Sequence, residues 1–329
     1  MRAILRGAAA ITCLLPAIAA DALAQSAWRP ERSVEMVVPA GPGGQNDLTV
    51  RNMHRILQAH KMVDANLVVV NKGGGGGAAA FAYLVQQQGD GHFLSISTVN
   101  LLTNHIVGAS PLNYTDFTPL GHLIHSYFGI VVRPDSPIAS ARELFDRLKQ
   151  DPASLSIAIG TSLGNANHIA FALAVKSSGG DAKKLRTVVF KSNGEALTAL
   201  LGGHVDVIIS GLPNLVKRAQ AKTVRILTIT GPQRLPGTLA DIPTLREQGA
   251  DVVVSGWRGA LGTRGMSAMQ VAYWEAVVAK LVETEDWKKE IARNYSALTR
   301  MNAAENREFL SKEYVAFQGL LSDLGMAKR

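Results

Sequence analysis

The chain is predicted to fold as an α/β protein of two lobes, and three observations carry that prediction. Short β-branched runs alternate with helical segments through most of its length; several of those runs end in Gly-, Asn-, Ser- or Thr-rich loops that open a helix; and the last third is helical. The strands are expected at Val34–Val38, Leu67–Val70, Phe93–Ser97, Ile130–Val132, Leu155–Ile159, Thr187–Phe190, Val205–Ile209 and Val224–Ile229. Continuous apolar strands separated by helices imply parallel sheets covered on both faces.

Before the first strand, a basic start (Arg2, Arg6) leads into an apolar run through Ala20 and then Ala22-Leu23-Ala24. That is the pattern of a cleaved secretory signal over residues 1–24, with the cut after Ala24 and a periplasmic destination. The run is shorter than the roughly 20 residues a membrane-spanning helix needs. The only cysteine, Cys13, lies in this leader, and Ala10-Ile11-Thr12 before it make a poor lipidation box. Disulfides and thiolate metal sites are therefore not expected, nor is any metal or cofactor. About 300 residues remain, enough for two medium domains with their own cores. Charged residues make up 18% and hydrophobic ones 47%, the balance of a globular chain. The net charge of +8 is scattered rather than clustered with aromatic residues, so nucleic acid is not an expected partner and a dispersed basic surface favouring anionic solutes is.

Four loops follow predicted strands: Gly41 to Asp47, Gly73 to Gly77, Gly160 to Asn165, and Ser192-Asn193-Gly194. In open α/β sheets ligands sit beyond the carboxyl ends of strands, where loop and helix-start N–H groups converge. An anion site built mostly from backbone is the expectation. Beyond Leu261 no strand is evident, and amphipathic helices are expected at Ala268–Val282, Glu285–Asn294 and Ala303–Leu321. They must pack on a sheet already built, and the first sheet is the candidate. Lobe one is therefore drawn as 25–128 plus 252–329 and lobe two as 129–251, with two hinge crossings.

Other motifs carry competing chemical readings. Gly160-Thr161-Ser162-Leu163-Gly164 matches a Gly-x-Ser-x-Gly nucleophile elbow. A triad would then have to use Asp181 and His204, about forty residues on, leaving little room for the intervening elements, and no HGGG-type loop is present. A secreted serine esterase using Ser162 is the runner-up, and the chain is read as not an enzyme. Gly73 to Ala78 fits Gly-x-Gly-x-x-Ala, but Ser97-Thr98-Val99-Asn100 stands where a dinucleotide site needs an acid. His122 and His125 lie three apart in a predicted strand and so should face opposite sides, which speaks against a metal pair. Asp47 is expected to cap the helix Leu48–Ala59 and shape the Gly43-Gly44 loop. His168 stands early in the helix after the Thr161-Ser162 loop, where ligand contact and structural support carry equal weight.

Taken in order, Val38 to Asp47, Val70-Asn71-Lys72 with its Gly run, Asp90-Gly91-His92, Tyr114 to Pro119, Gly164 to His168, Phe190-Lys191 with Gly194-Glu195-Ala196, Leu200 to Asp206, Asp241 to Thr244 and Gly256-Trp257-Arg258-Gly259 resemble the substrate-binding receptors of tripartite tricarboxylate transporters, the Bug family. The likeness runs from about Trp28 to the last helix. It implies a type II periplasmic-binding-protein fold with a ligand cleft between the lobes, closing on a small organic carboxylate. Carried over, the ligand-binding residues are Ala40, Pro42, Gly43, Gly44 and Asp47 in the first loop, Thr161, Ser162, Asn165 and His168 in the second, with Thr98, Asn193 and Ser210 lining the same cleft. Many relatives carry an aromatic residue at Ala40 and an Asp at Ser210, so a roomier pocket is implied here and an amino-acid ligand is disfavoured. The family's Pro-x-Gly-x-Pro is Thr263-Arg264-Gly265-Met266-Ser267 in this chain. The implied partners are membrane transporter subunits or, in the alternative, a membrane sensor, with the protein itself a monomer.

Overall fold

The computed structural model describes residues 28–160, 162–190 and 192–328. The predicted leader, with Cys13, and the predicted ligand residue Thr161 lie outside them.

The chain opens with β1 (Val34–Val38), α1 (Gln45–Ala59), β2 (Leu67–Asn71), α2 (Ala78–Val85), β3 (Phe93–Thr98), α3 (Val99–Ile106) and β4 (Thr118–Ser126). It then crosses through Tyr127 into β5 (Phe128–Val132), α4 (Ala141–Gln150), β6 (Ser156–Gly160), α5 (Ala166–Ser177), β7 (Arg186–Phe190), α6 (Asn193–Leu201), β8 (Val207–Gly211), α7 (Leu212–Gln220) and β9 (Arg225–Ile229). It returns through β10 (Gly256–Gly262), followed by α8 (Ala268–Glu283), α9 (Glu285–Arg293), the two-residue β11 (Ser296–Ala297) and α10 (Ala303–Asp323).

Two sheets result, ordered β11-β4-β10-β3-β1-β2 and β7-β6-β8-β5-β9. The expectation of parallel sheets is corrected at the strands that adjoin the crossings. β10 runs antiparallel to β3 and β4, and β5 antiparallel to β8 and β9. A strand arriving from the other lobe enters its new sheet from the opposite end, so its direction is reversed although its apolar composition is unchanged. The short β11, which pairs with β4, is a strand beyond Leu261 that the sequence reading left out.

Each sheet is covered on both faces. In lobe one, α1, α8 and α9 bury Met53, Ile56, Trp274, Leu281 and Trp287 against Met36, Leu94, Ile96 and Ala260. In lobe two, Leu144, Phe145 and Leu148 of α4 and Phe171 and Val175 of α5 cover one face of the sheet, while α6 and α7 cover the other. Burying each large side chain contributes about 1.5–3 kcal/mol relative to exposure. A fourth cluster joins the lobes: Ile169 of α5 packs with Val99, Leu102 and Ile106 of α3 and with Leu310, Phe317 and Leu320 of α10. The exposed Lys176–Asp323 ion pair lies over this contact and adds little.

The His122–His125 pair also departs from expectation. Arg258 pairs with Ile124 while Gly259 pairs with His122, so Leu123 is an extra residue in β4. Such a bulge shifts the side-chain parity, and both imidazoles fall on one face, stacked with centroids 4.3 Å apart. Burial, with a smaller contribution from the neighbouring His125, lowers His122 to about 3; burial alone lowers His125 to about 4. Both are neutral at pH 7. Histidines with folded pKa values below the unfolded one take up protons on unfolding, so stability is expected to fall as pH drops from about 6.5 toward 4. Urea midpoints at pH 7 and pH 4.5 measure this, and equal midpoints would contradict it.

Candidate functional site

The loop after β1 is held by a carboxylate. Asp47, 2% exposed, accepts the Gly43 N–H at 2.8 Å, both of its oxygens accept Arg51 Nε–H at 2.9 and 3.0 Å, and Asn71 Nδ2 donates at 2.8 Å. Burial pushes its pKa up, but the hydrogen bonds from Arg51, Gly43 and Asn71 and the Arg51 charge outweigh that and hold it below the usual carboxylate range. The capping role expected for Asp47 is corrected. The helix starts at Gln45, its N-cap is Gly44, and no side chain caps it. Asp47 is the third helical residue and instead pulls Gly43 into φ +80°, a conformation that suits glycine. The first N–H groups of α1 have no intrahelical partner and face the loop mouth. Asn71 Nδ2 also binds the Ala40 carbonyl at 3.2 Å, and a side chain on Gly73 would strike the Gly41 nitrogen at 2.9 Å. The two glycine loops of lobe one are thus packed backbone to backbone, with Ala40 half-buried and Pro42, Gly43 and Gly44 exposed.

Lobe two repeats the device. Gly164 has φ +79°, and its N–H donates at 3.1 Å to Nδ1 of His168, four residues on, as Gly43 donates to Asp47. The acceptor here is a neutral imidazole, with burial lowering His168 to about 4 and the proton on Nε2. Asn165 caps α5, accepting from His168 N–H at 2.9 Å, and its amide donates to the Gly160 carbonyl. Ser162 and Leu163 are exposed at the rim. Asn193, the first residue of α6, accepts from Asn167 Nδ2 at 2.9 Å and stands over Gly160, whose absent side chain leaves room for it. Ser210, near the end of β8, is fully buried, and its hydroxyl has no hydrogen-bond partner among the described residues.

Close approaches join these pieces across the lobes. A Cβ on Gly211, the uncapped N-cap of α7, would lie 3.0 Å from Gln45 Nε2 at the start of α1. One on Gly256 would lie 3.7 Å from Ala166, the first residue of α5. The starts of α1, α5, α6 and α7 therefore gather at the junction of the lobes, each bringing the positive end of a helix dipole. Among the described residues, the one buried carboxylate of these loops, Asp47, is already consumed by its own donors. Thr98, at the end of β3 and 8% exposed, is the register partner of Arg258 on β10, so both side chains lie on the α1 face of the sheet.

Arg258, Gln45, Asn46 and Ser126 belong to this region and were not singled out from sequence. Arg258 donates through Nε to Asn46 Oδ1 at 2.7 Å, through Nη1 to Ser126 Oγ at 3.0 Å and through Nη2 to Gln45 Oε1 at 3.2 Å. The signal was an arginine inside an otherwise apolar run, Trp257 to Leu261, at a predicted crossing. The triad partners considered for Ser162 are not brought to it. β6, β7 and β8 are parallel, Ser162 follows the end of β6, and Asp181 and His204 precede the starts of β7 and β8. A five-residue strand, roughly 16 Å, separates the two ends of the sheet.

The chain matches the model of the tripartite tricarboxylate transporter family receptor over residues 53–325. A UPF0065 protein from the gbd 5′ region of Cupriavidus necator is 25% identical over 325 residues, 98% of this chain and 96% of that protein. BugT of Bordetella pertussis is 23% identical over 303 residues, 90% of each chain. Among solved structures, the periplasmic binding protein BugD superposes with a TM-score of 0.77 at 24% identity, covering 91% of this chain and 100% of that one. An R. palustris protein solved with adipate gives 0.77 at 24%, covering 91% and 99%, and MatC of Rhodopseudomonas palustris with bound malate gives 0.74 at 23%, covering 89% and 99%. These superpositions show the two-lobed type II periplasmic-binding-protein fold.

Proposed function

Because the chain belongs to the tripartite tricarboxylate transporter receptor family, we propose that it is an exported, periplasmic solute receptor that closes its two lobes on a small organic carboxylate and delivers it to membrane transporter subunits. The observation that carries the ligand class is the gathering of four helix starts, two of them without a side-chain cap, around a junction whose buried carboxylate is already neutralised. N–H groups at helix starts stabilise an anion and need no reorganisation when it arrives. Four or five charge-assisted hydrogen bonds at about 1.5–3 kcal/mol each, less the cost of association, reach micromolar affinity. The malate and adipate bound to the two R. palustris proteins support a small acid here as well.

In this reading the loops around Gly43 and Gly164 are preshaped by Asp47 and His168, which hold backbone rather than ligand. Ligand contacts come from Gly44, Thr98, Thr161, Ser162, Asn193 and the helix-start amides. The lobes, one built on each sheet, rotate about the crossings at Tyr127 and Val254-Ser255.

A thermal-shift screen of the mature chain against mono-, di- and tricarboxylates, aromatic acids, amino acids and the matching amides tests this. An acid at 100 times its Kd adds about 2.7 kcal/mol to native stability, which for a chain of this size raises the midpoint by roughly 4 °C. Amides of the same shape are expected to give no shift. Equal shifts with acid and amide, or none with any acid, would contradict the proposal.

A further inference from the structure

Arg258 is only 9% exposed, and all three of its acceptors, Asn46 Oδ1, Gln45 Oε1 and Ser126 Oγ, are neutral. Each ion pair found among the described residues leaves it out. Burial lowers its pKa to about 10, so it stays charged at neutral pH. A buried cation without a counter-charge is costly, and the neutral cradle orients this one without balancing it. A guanidinium carries five N–H groups, of which three are used here, leaving one on each terminal nitrogen. Those two are the donors that remain for a carboxylate with two acceptor oxygens. The cradle itself belongs to the cleft. Gln45 and Asn46 are the first two residues of the uncapped α1, Gln45 lies against Gly211 of lobe two, and Thr98 is the cross-strand partner of Arg258.

The geometry points to Arg258 as the counter-charge for a second carboxylate of the ligand. One carboxylate is held by the helix-start amides of lobe two, and the other meets the remaining donors of Arg258 beside Gln45 and Thr98. The inference rests on the receptor reading and adds to it that this chain selects acids carrying two negative charges, through a side chain on the strand that returns between the lobes.

Isothermal titration of the mature chain tests it with succinate, malate, glutarate and adipate, each beside its monoamide. The wild type is expected to prefer the best diacid over its monoamide by about 100-fold. Arg258→Gln is expected to lose about 100-fold for the diacid and less than about 5-fold for the monoamide, erasing the preference. Arg258→Lys, which keeps the charge without the fork, should fall between them. A wild type that binds diacid and monoamide equally overturns the role of Arg258 and leaves the carboxylate receptor standing. Binding of none of these acids by the wild type, followed by no response to any other acid in the thermal-shift panel, would remove the receptor reading itself. An Arg258→Gln protein with unchanged circular dichroism that retains the preference makes Arg258 a structural tie only. Should that variant fail to fold, the wild-type ratio and the Arg258→Lys titration decide the matter.

Discussion

Gly160→Ala is expected to lose ligand binding by roughly 100-fold and stability by about 2–3 kcal/mol, the cost of overpacking a site that cannot relax. The added methyl would sit 2.6 Å from the backbone nitrogen and 2.8 Å from the Cα of Asn193, as well as against its side-chain oxygen. Turning the Asn193 side chain away relieves only the last of these. The start of α6 must therefore back off, taking Asn193 from Asn167 and opening the lobe-two wall of the cleft. Gly194→Ala, one residue further into the same helix, meets nothing closer than Ser192 Oγ at 3.6 Å. It is expected to be neutral or to stabilise by up to about 1 kcal/mol, since Ala is the better helix former. Chemical denaturation and calorimetry on the pair measure both effects, and a Gly160→Ala protein that binds like the wild type would show that α6 does not form the cleft.

Asp47→Ala is expected to cost about 2–3 kcal/mol and to lower the thermal midpoint by roughly 3–5 °C, because it strands the Gly43 N–H and the Asn71 amide. Arg51 is half exposed and recovers water, so its share is discounted. Ligand affinity should drop by about 10-fold as the Gly43-Gly44 loop loses its tie. The pH sign follows from the direction of the shift. A carboxylate whose folded pKa is depressed contributes stability above its unfolded value, near 3.9, and loses it as pH falls through the folded value. The stability gap between wild type and Asp47→Ala should therefore be full at pH 7 and close as pH falls below 4, a window distinct from the histidine loss between about 6.5 and 4. A midpoint change under about 2 °C at pH 7 would contradict the role given to Asp47.

Much of this was legible in the chain because the relevant signals are local. The strands before Gly43, Gly76, Gly160 and Asn193 announce themselves by β-branched runs ending in residues that tolerate positive φ or start helices, and those loops are where the helix starts gather. What escaped depends on pairing between distant segments. An apolar strand reads the same whichever way it runs, so the reversal of β5 and β10 was invisible. The bulge at Leu123 shifts His122 and His125 onto one face through register with β10 alone. Asp47 was misread because α1 starts three residues earlier than its first apolar residue, turning an apparent cap into a back-bonding side chain. Arg258 stood in a quoted motif, but only the sheet register and the placement of α1 reveal a buried cation at the cleft.

The most direct measurement of the central claim is a backbone amide NMR titration of the deuterated mature chain with the acid that gives the largest thermal shift. The account predicts that the amides of Gly44, Gln45, Ser162, Asn193 and Gly194 move together along one saturating curve, while those of α8 and α9 stay in place. Perturbations confined to surfaces away from these helix starts, or none at all, would contradict a carboxylate site at the junction of the lobes.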